Sequence, residues 1–134
     1  SNVGANMQNH YGTIAYVTGA TPQVLIGFTN MNPYMPNDSV RRYQFFVQNV
    51  AGQVRIQGWN LNPQSRGTIN IVSPSALTQP EIKFNFYTDG TFSDVGSDAY
   101  LAVSFYKLVQ QVAAAIGGTV TSPTPAQYAN DAQL

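Results

Sequence analysis

The chemistry open to this chain is narrow. His10 is its one histidine, cysteine is absent and no Gly-x-Ser-x-Gly elbow occurs, so neither a Ser/His triad on a hydrolase template nor a thiolate nucleophile can be assembled. Asp89, Asp94 and Asp98 form the only acidic cluster that suggests a hard cation. The ligand spacing of a calcium loop is missing, and turn formation plus negative charge at a helix start accounts for all three. No Gly-x-Gly-x-x-Gly and no P-loop supplies a phosphate cradle. Asn37-Asp38-Ser39 fits the N-glycosylation triplet, a pattern that arises often by chance. What remains is recognition chemistry: guanidinium, carboxamide and indole groups at Arg55, Gln57 and Trp59, alternating along one strand-like segment.

That segment must be held by a fold, and 134 residues suffice for one domain with its own core. Only 9% of the residues are charged, against roughly 25% in an average soluble domain, and the net charge is zero. Twelve Asn and twelve Gln take the place of charge. With no Lys/Arg run, nucleic-acid binding by counterion release is not expected. No apolar stretch is long enough to span a membrane, and no signal peptide opens the chain. An amide-rich surface supplies little charge repulsion, which suits either an assembly or a piece of a larger protein whose partner covers it.

Hydrophobic patterning places a short buried strand at Gln23–Phe28 and a turn-rich loop at Asn30–Ser39. Tyr43–Asn49 and Gln53–Trp59 read as a hairpin turning at Val50-Ala51-Gly52, followed by strands at Thr68–Val72 and Ile82–Phe86. A single long helix starts at Ser93 or Ser97 and stops at Gly117-Gly118. Its apolar stripe is Leu101, Phe105, Leu108, Val112 and Ile116, widened by Val109. The expected fold is α+β: an antiparallel sheet of four to six strands with one long helix packed on one face. Strand parity turns Val54 and Ile56, with Ile69 and Ile71, toward that helix. It turns Arg55, Gln57 and Trp59, with Thr68 and Asn70 on a neighbouring strand, to the opposite face. The Thr119–Leu134 tail, with its Ser-Pro-Thr-Pro, reads as a linker.

Two segments carry more specific information. Val3-Gly4-Ala5-Asn6-Met7-Gln8-Asn9-His10 resembles the Val-Gly-x-Asn-Leu-Gln-Asp-His segment of the glucose-methanol-choline (GMC) oxidoreductases. Asn62-Pro63-Gln64-Ser65-Arg66-Gly67-Thr68-Ile69-Asn70-Ile71, then Pro80-Glu81-Ile82-Lys83-Phe84-Asn85-Phe86-Tyr87, is similar to that family's Pro-x-Ser-Arg-Gly-x-Val strand and its Pro-x-Ile-x-x-Asn-Tyr segment before a helix. The order along the chain agrees, and together the matches cover about half of it. Gly4, Asn6, His10, Ser65, Arg66, Gly67, Pro80 and Asn85 fall on motif positions. By their own chemistry Arg66 reads as a clamp on loop carbonyls, Gly67 as the turn into a strand, and Asn85 as a residue that fixes its local backbone. Asn9 departs from the family's Asp, Met7 from its Leu, and the span from His10 to Pro63 is shorter than in complete members.

The resemblance implies a fragment: residues 1–12 leading in from an FAD domain, 13–118 a shortened substrate-binding domain, and 119–134 a linker toward a C-terminal FAD-domain segment. In such a parent, FAD accepts hydride from a CH–OH substrate, an alcohol or sugar-like molecule, a base takes the hydroxyl proton, and the sheet face of Arg55, Gln57, Trp59, Thr68 and Asn70 is the implied wall of the substrate cavity. The dinucleotide fingerprint and the catalytic His-His or His-Asn pair lie outside this chain, so the fragment alone is expected to bind no FAD, and its partner is the remaining FAD-binding domain. Two alternatives share the fold. One is a structural protein, homo-oligomeric or part of an assembly such as a virion coat, a use the resemblance extends to giant-virus members, with a secreted or virion-associated location. The other is a flavoprotein lyase of the hydroxynitrile type, whose version of the Lys83–Tyr87 run is similar.

Overall fold

The computed structural model describes residues 3–19, 25–29 and 42–134. The expected loop at Asn30–Ser39, with its glycosylation triplet, lies outside the described residues.

The best-determined local element is the hairpin. Strand β3 (Tyr43–Val50) and strand β4 (Gln53–Asn60) are joined by Ala51 and Gly52 alone. Both turn residues have positive φ, 52° and 82°, the mirror-image turn whose twist matches its flanking strands. Register runs from Val50 opposite Gln53 to Tyr43 opposite Asn60. Strand β2 (Leu25–Thr29) pairs with the outer side of β3; of the expected strand at Gln23–Phe28, the first two residues lie outside the described residues. On the other side of β4 lies β1 (Gly12–Thr18), a strand the sequence reading did not contain. The chain from Thr119 onward, expected as a linker, returns as edge strand β7 (Thr119–Ser122) on β1, followed by the short helix α2 (Pro125–Tyr128) and a 3-10 turn at Asp131–Gln133. The result is a five-stranded antiparallel sheet in the order β2-β3-β4-β1-β7.

Strands β5 (Thr68–Asn70) and β6 (Glu81–Lys83) do not join it. They pair only with each other in a separate two-stranded sheet. The expected packing of Ile69 and Ile71 on the helix is therefore corrected: Ile69 is 39% and Ile71 86% exposed.

Helix α1 (Asp98–Ala115) begins at Ser97, whose Oγ accepts from Tyr100 N at 3.1 Å, and Asp98 brings negative charge to the positive end of the helix dipole. It ends with Gly118 N donating to Ala113 O at 2.8 Å and Gly117 N to Ala114 O at 3.1 Å, the paired C-terminal bonds of a Schellman motif. One face of the sheet packs on this helix. Ala15, Val17, Tyr43, Val47, Val54 and Ile56 meet Leu101, Phe105, Val109 and Ala113 in a continuous core. The Phe105 ring lies directly on β4, where a Cβ at Gly58 would stand 2.1 Å from Cζ.

The seam of α1 therefore advances in steps of four, 101-105-109-113, and not through Leu108 and Ile116. Leu108 is half-buried outside the core cluster and Ile116 is 39% exposed. Val109→Ala removes two methyl-sized groups from a fully enclosed site and should lower stability by about 2 kcal/mol. Leu108→Ala should cost less, because Leu108 lies outside the core cluster and part of its surface is already in water. Denaturant midpoints of the two variants check the ranking, and the reverse order would mean that the helix is rotated.

Candidate functional site

Among the described residues, no helix lies over the second face of the sheet. Parity along β4 sends Val54, Ile56 and Gly58 to the core and Arg55, Gln57 and Trp59 to the opposite side. The antiparallel register sets them in rows with their neighbours. Trp59 lies between Gln44 and Gly12, Gln57 between Phe46 and Ile14, and Arg55 between Gln48 and Tyr16. All of these are half-buried except Gly12 and Ile14, which are exposed.

Contacts within the face are specific. Phe46 and Trp59 meet edge to face at 5.2 Å, and the indole Nε1 lies over Gly12, 3.0 Å from where a Cβ would stand. Arg55 Nη2 donates to Gln48 Oε1 at 2.6 Å, while the buried Arg55 Nε has no partner. The face thus offers amide donors and acceptors, a phenol, one guanidinium and a fixed aromatic ring. That set orients a polar ligand by hydrogen bonds and packs its apolar edge. Among the described residues no three His, Cys, Asp or Glu side chains come together as a metal group.

Thr68 and Asn70 are not part of this wall. They lie on β5, and Asn70 Nδ2 reaches Glu81 Oε2 at 3.4 Å. Only Arg55, Gln57 and Trp59 of the five candidates share a face.

The motif residues converge elsewhere, at the root of the β5–β6 lobe. Met7 and Gly67 exchange backbone hydrogen bonds at 3.0 and 2.8 Å, and Ile69 N donates to Gly4 O at 2.8 Å. Gly4 sits at φ +85° with Ile69 O only 1.9 Å from a would-be Cβ. Gly67, expected to supply a turn, is needed for space: a Cβ there would lie 2.2 Å from Lys83 O. Arg66 Nη1 donates to the carbonyls of Pro63, Gln64 and Ser65 at 2.8, 2.8 and 3.1 Å, the clamp its donor set suggests. The Gln8 amide, with its oxygen turned to the guanidinium, accepts from it as well. Asn85 Nδ2 donates to Arg66 O at 3.3 Å. Asn6, Asn85 and Tyr87 hold positive φ of 66°, 50° and 60°. His10 and Pro80 are exposed.

Beneath the junction is a group the sequence reading had assigned only to the helix dipole. Asp98 is fully buried. Its carboxylate accepts from Ser65 N at 2.8 Å, Gln64 N at 3.0 Å and Asn60 Nδ2 at 3.1 Å. Its backbone N–H donates to Asp89 Oδ2 at 3.0 Å, its carbonyl accepts from Tyr11 Oη at 2.7 Å, and Tyr11 Oη accepts from Asn60 Nδ2 at 2.8 Å. Asp89 in turn receives Ser65 Oγ at 3.0 Å. Asp94, by contrast, is exposed, and the backbone N–H of Thr91 holds its carboxyl below the usual range. A cavity of about 240 Å³ lies alongside, lined by Thr13, Tyr87, Phe92, Val103, Tyr106 and Asp131 among others, and contains none of the candidate residues.

Compared with known proteins, the chain matches no family model, no curated protein and no solved structure.

Tyr11 gives the buried network a signature in pH. Burial first, and then the Asp98 carboxylate, push its phenol well above the ordinary value of 10.0. The unfolded chain releases that proton near pH 10 while the folded one retains it, so stability is full below pH 10 and falls above it. The slope expected from this one group is about 1.4 kcal/mol per pH unit. Denaturation followed from pH 8 to 12, against Tyr11→Phe, should show the variant losing stability less steeply; identical slopes would remove Tyr11 from the network.

Proposed function

We propose that this chain is the substrate-binding domain of a GMC-type, FAD-dependent oxidoreductase acting on CH–OH groups. One observation carries the reading. The segments that resemble that family's motifs, distant in sequence, meet at a single junction where Gly4 and Gly67 have no room for a side chain and Asn85 bonds to the backbone of Arg66. Residue types at these positions answer to that geometry, which is what a structural motif kept for its fold requires. The open face of β3, β4 and β1 supplies the recognition surface. Its rigid Trp59–Phe46 pair and flanking amides suit a hydroxylated ligand.

This domain is read as the part of the parent that does not hold the dinucleotide. The start of α1, the place a diphosphate would favour, is filled by the protein's own Ser97 hydroxyl and Asp89 carboxylate. In this reading the flavin, the hydride acceptor and the proton-accepting base belong to the rest of the parent, and this domain binds and orients the substrate. The parent polypeptide tests it. Its visible flavin absorbance should bleach on anaerobic addition of an alcohol substrate, and Trp59→Ala or Gln57→Ala should slow bleaching by about tenfold or more without releasing the flavin. Absence of bound flavin, or bleaching indifferent to both variants, would overturn the reading.

A second reading, an assembly protein using the same domain without catalysis, draws on the β5–β6 lobe. Ile71, Val72, Leu77, Ile82 and Phe84 are exposed there, Leu77 at 96%. A two-stranded ribbon with apolar side chains in water gains by being covered. Concentration-dependent association in sedimentation that Leu77→Asp abolishes would favour this reading over the first.

A further inference from the structure

Arg55 is the one charged side chain among the residues placed on the open sheet face. Around it stand amides and aromatics, Gln48 and Gln57 on either side and Tyr16 directly across on β1. No carboxylate among the described residues pairs with it, and each described carboxylate is engaged elsewhere. Glu81 pairs with Lys83 and Asp131 with Lys107. Asp89 and Asp98 are held in the buried network, and Asp94 is bonded to Thr91.

Its donors are also underused. Of the five guanidinium N–H groups, the structure engages Nη2 with Gln48 at 2.6 Å and leaves the buried Nε with no acceptor. An unpaired donor in a half-buried site is a standing cost, and in a chain with so few charges a neutral residue here would avoid it. A guanidinium fork is matched by a planar carboxylate, which accepts two parallel N–H bonds and supplies a counter-charge that none of the described residues supplies. Gln57, two residues along the strand, and Tyr16 add neutral partners for hydroxyl groups.

We propose that the open face recognises a small hydroxylated carboxylate, with Arg55 as the anion-binding residue and Gln57 and Tyr16 as partners for its hydroxyls. This rests on the reading of that face as a substrate wall, and narrows the substrate class from alcohols in general to hydroxy acids and sugar acids.

The test uses the 134-residue chain and two probes of equal carbon number, sodium gluconate and neutral sorbitol, at matched ionic strength. In two-dimensional proton–nitrogen NMR, gluconate should produce saturable shifts at the Arg55 Nε–H and the Gln48 and Gln57 side-chain amides, with affinity about tenfold or more above that for sorbitol. Arg55→Gln should abolish the difference, and Arg55→Lys should keep part of it, because charge survives and the fork does not. An unchanged backbone spectrum in both variants shows that the fold is intact; if Arg55→Gln unfolds, Arg55→Lys alone decides. Equal response to both probes, shifts away from this face, or no saturable shift would overturn the proposal. Failure here with flavin bleaching by neutral alcohols intact leaves the oxidoreductase reading standing. Gluconate binding at Arg55 in a parent without flavin chemistry would leave the anion site and remove that reading.

Discussion

One buried carboxylate holds the parts of this protein together. Asp98 sits at the first position of α1 with no cation beside it, so its charge is met entirely by oriented N–H groups: two backbone amides of the 61–67 loop, the Asn60 carboxamide, and the positive end of the helix. The donors come from the end of β4, from the loop after it and from the helix itself. Removing any one would leave a buried charge short of a partner, which costs more than the bond itself contributes. The constraint thus acts on geometry, because the loop, the end of β4 and the helix start have only one arrangement in which every group is satisfied.

The rest of the architecture hangs on that point. With the helix start pinned to the end of β4, α1 must run back along the sheet, and it closes one face with Leu101, Phe105, Val109 and Ala113. Tyr11, bonded to the Asp98 carbonyl, sets where β1 begins. The 61–67 loop, gripped from below by Asp98 and from within by Arg66, presents Gly67 to Met7 and carries the β5–β6 ribbon away from the main sheet. Among the described residues the second sheet face carries no helix, since the one long helix among them is already committed. The two faces therefore differ: the polar network and the core lie on the helix side, and the aromatic and amide groups lie on the other.

Low charge gives this separation its consequence. Among the described residues the carboxylates serve turns, ion pairs and the buried network, and Arg66 serves loop carbonyls. The open face is left with neutral hydrogen-bonding groups around one guanidinium. A surface of this kind favours direction and shape over long-range attraction, through the spacing of donors across the rows of β3, β4 and β1.

Much of this was legible in the sequence wherever structure is local. The hairpin, the Ser97 cap, the Gly117-Gly118 stop and the parity of β4 follow from neighbouring residues alone, because turn chemistry, helix capping and strand alternation are satisfied within a few positions. The α+β class and the side to which Arg55, Gln57 and Trp59 point were determined in the same way. What depends on distant partners was decided only by the tertiary structure. In β1, Ile14 and Tyr16 alternate with Ala15 and Val17, so both faces look apolar and no periodicity marks the strand. Strand β7 has almost no apolar signal and exists through its pairing with β1. The choice of the 109/113 seam over 108/112 came from the sheet, where small Ala15 and Ala113 are enclosed with the larger core residues and allow close approach. Asp98 looked like any acidic residue at a helix start; the three donors to its buried carboxylate come from segments more than thirty residues away, and no local pattern can announce a partner that only folding brings near.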